Sequence, residues 1–306
     1  MKLQQLLYLT QVIECKMNIS QSARILHTSQ SGVSRFLSML EDELGTQIFV
    51  RKENRLVGLT VAGTEVAKIA KRMLQDAQQM QRIGRDLDAN KGGNLTIATT
   101  HSHARYTLPA IIEKFMLRFP KAHIRLLQGN LGEITRWTLD GTADFLISTA
   151  PTEPLEDLAL IPCRESHQII IVQTGHPLLA MKNITLKKLV EFPIIAYDQN
   201  FSMRSRLIET FQREQLTPNI VLSATDSEVI KAYIRTGIGI AILARTVFDE
   251  AQDVGLSAID ARDLFGTHTI YVGFRRNVYL SETLLYFVQL YAPNVLSETI
   301  ESAVNQ

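Results

Sequence analysis

Two groups of side chains in this sequence have types and spacings suited to holding a ligand. The first is Gln30, Ser31, Ser34 and Arg35, three short polar groups and one guanidinium on one side of an amphipathic stretch that is nearly free of acid. Such groups donate to and accept from base edges when a helix enters the major groove of DNA. Arg51, Lys52 and Arg55 follow as a basic cluster suited to phosphate oxygens. The second group is Thr99, Thr100, His101, Ser102 and His103, consecutive hydroxyls and imidazoles, with Thr149, Ser202 and Thr225 at similar junctions further on. Neutral donors of this kind, with backbone N–H groups at a helix start, can hold an anion without a lysine.

The elements that must position the first group read as a helix-turn-helix with a wing. A helix over 3–15 offers Leu6, Leu9 and Ile13 to a small core. Ser20 is the expected N-cap of a second helix, whose inner face is Ala23, Ile25 and Leu26. Ala23 allows a steep helix crossing over a short turn. From about Gln30 a third helix places Val33, Phe36, Leu37 and Leu40 inward and closes at Gly45, a natural C-cap. QIFVRKENRLVGL then reads as a β-hairpin turning at 52–54. In this arrangement Gln30, Ser31, Ser34 and Arg35 lie in the groove, with Arg51 and Lys52 on the backbone and Arg55 beside them at the basic tip. A plain helical bundle with a polar surface would show the same periodicity, and the basic wing tip is what favours DNA.

A long helix follows over 60–88, with Val66, Ala70, Met73, Ala77, Met80 and Leu87 in alternating 4–3 spacing. That seam reads as a dimerisation surface, the alternative being packing on its own chain. Asn90, Lys91, Gly92 and Gly93 read as a hinge.

Beyond it strands alternate with helices, implying a mainly parallel sheet. Strands are predicted at 95–100, 123–128, 144–148, 160–163, 168–173, 193–197, 219–224, 239–243 and 268–274. Helices are predicted near 106–118, 132–140, 186–190, 203–215, 227–236 and 280–291. In such sheets ligands sit beyond the carboxyl ends of strands, which is where the second group falls. Helix capping accounts for any one of those hydroxyls alone, and Thr225 with Asp226 reads as a cap first.

Enzyme readings find little support. His101 and His103 have no nearby cysteine or carboxylate to complete a metal set, and Gly237 with Gly239 precedes a strand, the wrong order for a dinucleotide site. No nucleophile elbow or phosphate-binding loop motif occurs. No catalytic residue, metal or cofactor is expected.

With 306 residues, 45% hydrophobic and 21% charged, the chain suggests two or three globular domains. The net charge of +1 is unevenly spread, with 13 basic against 9 acidic residues over 1–93 and 19 against 22 over 94–306. The basic excess therefore sits at the DNA end, and its modest size calls for more than one copy on a site. Two distant cysteines, Cys15 and Cys163, suit a reducing compartment. Gln4, Gln5, Gln11 and Glu14 interrupt the one N-terminal candidate for a leader, and no apolar run spans a bilayer, so a cytoplasmic location is expected.

The stretch SQSARILHTSQSGVSRFLSMLEDELGTQIFVR, followed by LTVAGTEV, resembles the N-terminal winged helix-turn-helix of the LysR-type transcriptional regulators. TTHSHARYTLP, ATDSEVIKAYIRTGIGIAIL and IDARDLFGTHTIYVGFRR resemble the cysteine-regulon activator subgroup, CysB and Cbl. The resemblance implies a multidomain α/β architecture: a winged helix-turn-helix over 1–59, a linker and dimerisation helix over 60–90, and an effector domain over 91–306. That last domain would have lobe I at 94–163 and 268–293 and lobe II at 167–264, resembling periplasmic solute-binding proteins. It further implies an effector site at Thr100, Ser102, His103, Thr149 and Ser202 for sulfate, O-acetylserine or N-acetylserine. The subgroup typically carries Thr, Gln and Thr where this chain has Ser102, His103 and Ser202, and the histidine is expected to bring pH sensitivity near neutrality. Implied partners are promoter DNA, other copies of the chain in a dimer or tetramer, and RNA polymerase as a further candidate. A solute-binding, transport-associated protein is the main rival, and the winged module and lack of a leader weigh against it.

Overall fold

The computed structural model describes residues 1–53, 55–86, 93–149 and 155–305. The chain forms two units, Met1–Leu87 and Asp88–Gln306.

The first unit runs α1 (Leu3–Glu14), α2 (Ile19–Ile25), α3 (Gln30–Leu44), β1 (Phe49–Lys52), β2 (Arg55–Leu59) and α4 (Val61–Asp86). The N-cap of α2 is Asn18, whose side chain accepts from the Gln21 N–H, and not Ser20. Lys16 and Met17 turn the chain at positive φ, so Asn18 arrives in the extended conformation a cap needs and Ser20 falls inside the first turn. Ser29 caps α3 by accepting from the Gly32 N–H, and Gly45 ends it in the left-handed conformation at φ 65°.

The core of this unit is Leu6, Leu9, Val12, Ala23, Val33, Leu37, Leu40, Ile48, Phe49 and Ala70. The buried stripe of α1 thus runs through Val12, with Ile13 only partly covered, and Ile25 faces outward. Thr60 caps α4, its hydroxyl accepting from the Gly63 N–H and donating to the Gln47 carbonyl. A side chain at Gly63 would meet the Ile48 carbonyl oxygen at 2.0 Å, so only glycine lets the helix start this close to the hairpin.

The seam expected along α4 divides. Val66, Ala70 and Met73 pack into the core of their own unit, Ala77 is half-buried and Met80 is exposed, as is Ile69 outside that seam. Leu87 of that seam, Asn54 of the hairpin turn and residues 90–92 of the expected hinge lie outside the described residues.

The second unit continues with β3 (Asn94–Thr99), α5 (Leu108–Arg118), β4 (His123–Gln128), α6 (Leu131–Leu139), β5 (Phe145–Thr149) and β6 (Leu158–Gln173). After them come α7 (Leu186–Leu189), β7 (Ile194–Tyr197), α8 (Ser202–Arg213), β8 (Ile220–Ala224), α9 (Ser227–Arg235) and β9 (Ala241–Ala244). The chain closes with β10 (Leu256–Asp260), α10 (Arg262–Phe265), β11 (Thr267–Arg275), α11 (Glu282–Tyr291) and α12 (Ser297–Asn305).

The large sheet has the order β10-β6-β11-β5-β3-β4, with β9 also paired to β6, and β7 pairs β8 separately. Strand β3 is parallel to β4 and β5, whereas β11 is antiparallel to β5 and β6. The strands expected at 160–163 and 168–173 are one continuous 16-residue strand, β6. Its first part pairs β11 and its second part pairs β9 and β10, so it serves two lobes. The polar residues 164–167, left between those two expected strands, stay extended because β11 supplies their backbone partners as far as His167 and β9 takes over at Gln168.

Lobe I is centred on Ile97, Phe115, Phe145, Ile161, Val272 and Phe287. It is completed by α12, which buries Ile300 and Val304 although no helix was predicted there. Lobe II is centred on Ile169, Ile171, Ile195, Ile230, Leu243 and Phe211. Among the described residues no helix is long and apolar enough to cross a membrane.

Candidate functional site

In the first unit, α3 presents Gln30, Ser31, Ser34 and Arg35 together, all exposed. Lys52 and Arg55 are exposed at the hairpin end. Arg51 has other work. Its Nη2 donates to Glu41 Oε2 at 2.6 Å, and its Nη1 reaches Glu41 Oε1 at 3.3 Å and Gln47 Oε1 at 2.8 Å. Glu41 is buried and also accepts from the Ile48 and Phe49 N–H groups. Burial pushes its carboxyl up, but Arg51 and those amides outweigh it, so it lies below the ordinary carboxylate range. Arg51, read from the sequence as a DNA contact, is the tie between the wing and the end of α3, because a buried carboxylate lies within its reach.

In the second unit a small cavity of about 60 Å³ lies between the lobes. Thr100, Ser102 and His103 reach it from the end of β3, Thr149 from β5, Ser202 from α8 and Thr225 from the end of β8. Thr99 does not: it is fully buried and its hydroxyl donates to the Ile147 carbonyl at 2.9 Å. Side chains alternate along a strand, so Thr99 turns into the sheet layer while Thr100 faces the cavity.

Two hydroxyl pairs cross between the lobes. Ser102 Oγ lies 3.2 Å from Tyr197 Oη, and Thr149 Oγ1 lies 3.2 Å from Ser202 Oγ. Neither serine caps a helix: the turn beginning at Ser102 has no side-chain cap, and Phe201 is the N-cap of α8. The cap of α9 is Asp226, which accepts from the Glu228 and Val229 N–H groups and leaves Thr225 on the cavity wall.

His103 begins a π-helical turn, His103–Thr107, in which the Leu108 N–H reaches the His103 carbonyl. Pro109 has no N–H to give the Arg105 carbonyl, so the ordinary helical ladder cannot continue there and the wider turn fits. The turn also sends Tyr106 into lobe II. Its hydroxyl donates to Glu228 Oε1, its ring lies 5.0 Å from Lys231 Nζ, and it packs against the Ile169, Ile171 and Ile230 core.

Burial, with Arg164 and His268 adding to it, pushes His103 down from 6.5 to about 4. Burial, with Arg206 and His167, takes His268 down to about 4 as well. Both imidazoles are neutral near pH 7, so the pH sensitivity expected of His103 there does not arise.

Sequence reasoning missed Ser166, Tyr197, Thr246 and His268, which also line the cavity, and the apolar walls Phe201, Met203 and Ile270. Tyr197 ends a strand and could have been found by the same rule as Thr100. Ser166 and His268 sit opposite each other within β6 and β11, where nothing local marks them as facing a ligand. The arrangement is a set of neutral donors converging from both lobes on a partly apolar cavity, suited to a small oxygen-rich molecule.

A model described as "LysR substrate binding domain" matches residues 88–294, and one described as "Bacterial regulatory helix-turn-helix protein, lysR family" matches 3–64. The chain is 40% identical over 295 residues to the HTH-type transcriptional regulator SsuR of Burkholderia cenocepacia, covering 96% of each. It is 37% identical over 304 residues to CysB of the same organism, covering 99% of this chain and 97% of that one. To the cofactor-binding domain of the Cbl transcriptional regulator the TM-score is 0.66 at 35% identity, over 70% of this chain and 93% of that structure. Full-length CbnR complexed with its target DNA shares the fold, with a TM-score of 0.63 at 20% identity over 96% of this chain and 100% of that one. Helix-turn-helix, wing and two-lobed domain therefore agree with these likenesses, and the chain belongs to the LysR family of transcriptional regulators.

Proposed function

We propose that the chain controls sulfur-assimilation and cysteine-biosynthesis genes from the cytoplasm. It binds promoter DNA as a homo-oligomer and responds to sulfate, O-acetylserine or N-acetylserine in the interlobe cavity. The observation that carries the effector reading is the meeting of Thr100, Ser102, Thr149 and Ser202 from two lobes around one cavity. Hydroxyls held on opposite walls reward a ligand that bridges them, and a ligand that prefers one lobe geometry shifts the population towards it. The sulfur assignment is supported by the resemblance to the cysteine-regulon activators and by the 37% identity to CysB.

At the DNA end, Gln30, Ser31, Ser34 and Arg35 read base edges, and Lys52 and Arg55 hold phosphates. Arg51 positions the wing through Glu41. The exposed Ile69 and Met80 of α4 offer apolar surface to a second copy.

Calorimetric titration of the full chain with sulfate, O-acetylserine and N-acetylserine tests the effector reading. Binding of one of them, abolished in Thr100→Val, is the expected result, and no heat from any of the three removes these ligands. At the DNA end Arg35→Ala is expected to cost about 1–3 kcal/mol of specific binding. Lys52→Ala is expected to weaken all sequences alike and flatten the salt dependence. An unchanged gel-shift affinity or salt slope removes the corresponding contact.

A further inference from the structure

Strand β6 carries a second feature beside the cavity. Counting by twos along it, Arg164, Ser166 and Gln168 share one face, and each has a buried polar atom without a hydrogen-bond partner: Arg164 Nε and Nη2, Ser166 Oγ and Gln168 Oε1. Ser166 lines the cavity directly. Arg164 is one pleat further into lobe I, opposite Ile270 on β11, another cavity-lining residue. Its guanidinium carbon stacks 4.3 Å from the centroid of the Tyr291 ring.

Among the described residues no carboxylate lies within 4.0 Å of Arg164. The Tyr291 hydroxyl comes near enough to Arg164 to favour its phenolate, yet burial outweighs this and pushes it up to about 12, so it is a neutral neighbour and no counter-ion; burial pushes the Cys163 thiol up as well. His103 and His268 face the same region as neutral rings, and Arg206, which acts on His268, is itself a cation. A guanidinium with two buried, unpartnered nitrogens and no counter-charge is costly, and the cost is recovered when an anion arrives close by.

We propose that Arg164 is the charge-selecting residue of the interlobe site, its missing counter-ion being a fully ionised oxyanion bound against Ser166 and His103. This rests on the effector reading above and narrows it: the occupant carries net negative charge, and a zwitterion of similar size is disfavoured. The hydroxyls supply shape and hydrogen bonds to any oxygen-rich ligand. Charge selection comes from Arg164, whose buried nitrogens lie in a low-dielectric layer where a charge acts more strongly than in water.

The test is thermal unfolding of the full chain with sulfate, N-acetylserine and O-acetylserine, against sodium chloride of matched ionic strength, in wild type, Arg164→Met, Arg164→Gln and Arg164→Lys. At neutral pH sulfate is a dianion, N-acetylserine a monoanion and O-acetylserine a zwitterion. Wild type is expected to be stabilised saturably in that order. Arg164→Met and Arg164→Gln are expected to lose about tenfold or more in apparent sulfate affinity and about twofold or less for O-acetylserine, and Arg164→Lys to stay close to wild type. A merely structural arginine would instead lower the unliganded midpoint and weaken all ligands alike.

Sulfate binding that survives in Arg164→Met overturns the inference and leaves the effector reading standing. Wild type that takes O-acetylserine but neither anion does the same, and wild type that takes none of the three overturns both. If neither neutral variant folds, Arg164 is structural and the inference falls.

Discussion

The two lobes treat a buried cation in opposite ways. In lobe II the Lys231 ammonium donates to the Val247 carbonyl at 2.9 Å, sits 2.7 Å from Glu228 Oε1 and lies 2.8 and 2.9 Å from the two Asp253 oxygens. Arg235 adds a second cation 3.0 Å from Asp253. Burial pushes the Asp253 carboxyl up, but Lys231 and the Asp249 amide outweigh it and hold it below its ordinary value. Every charge there has a partner, and Tyr106 reaches across from lobe I to cover it. In lobe I the Arg164 guanidinium has an aromatic face and, among the described residues, no carboxylate partner. A paired buried ion is a structural fitting, costly to break; an unpaired one is held ready for something absent. The first should govern stability and the second ligand choice.

The comparison breaks most visibly at Lys231. Lys231→Met leaves the buried Asp253 to the half-exposed Arg235 alone and takes from Glu228 its nearest cation, and is expected to cost about 3 kcal/mol or more in urea unfolding of the full chain. A loss below about 1 kcal/mol would mean that water reaches the carboxylates and the two lobes are not so different.

Acidification comes next. His103 and His268 have folded values near 4 against an ordinary 6.5, so the unfolded chain binds their protons first. Their contribution is intact above pH 6.5 and is lost as pH falls towards 4, on the order of 3 kcal/mol for each ring. The Asp253 network has the same sign but a lower window, since it weakens only below the ordinary 3.8 of that carboxyl. Unfolding free energies measured between pH 7 and 4 should therefore fall in wild type and fall less in His103→Gln. A flat profile would contradict the burial of both rings.

Glu41→Gln frees Arg51 and weakens the tie between wing and α3, at about 1–3 kcal/mol, with a matching loss of DNA affinity measured by anisotropy. Arg164→Met, unliganded, is expected to be the smallest change, within about 1 kcal/mol of wild type and in either direction. A loss as large as that of Lys231→Met would erase the distinction between the two cations.

The legible parts of the molecule are those whose signal spans a few residues. Period 3.6 marked α3 with Val33, Leu37 and Leu40 inward, and its end followed from Gly45. The strand-helix alternation from β3 to β5 was readable because each apolar run is bounded by turn residues. Less readable were features whose cause lies far along the chain. The continuity of β6 depends on β11, about a hundred residues later. The helix α12 carries only Ile300 and Val304 as fully buried apolar residues, too few to announce it. Ile25 looked like a core residue beside Ala23, but with the chain turned at Lys16 and Met17 and the cap at Asn18 it is Ser22 that joins Ala23 inside, and Ile25 faces outward.

At the candidate site, residue type and position at a strand end singled out Thr100, Ser102, Thr149 and Ser202 as hydroxyls at junctions, because the end of a parallel strand is where a cavity opens. Thr99, one residue away, has the same chemistry and turns the other way. Sequence alone thus determined the local elements, the basic and hydroxyl-rich stretches and the family likeness, all of which depend on neighbours within a turn or a pleat. Tertiary structure decided that Arg51 pairs with Glu41, that His103 and His268 are held neutral, that Tyr106 docks on Lys231 and that Arg164 has no carboxylate partner among the described residues. Those outcomes turn on burial and on charges brought together from distant segments, and local spacing does not encode a dielectric environment or the absence of a partner.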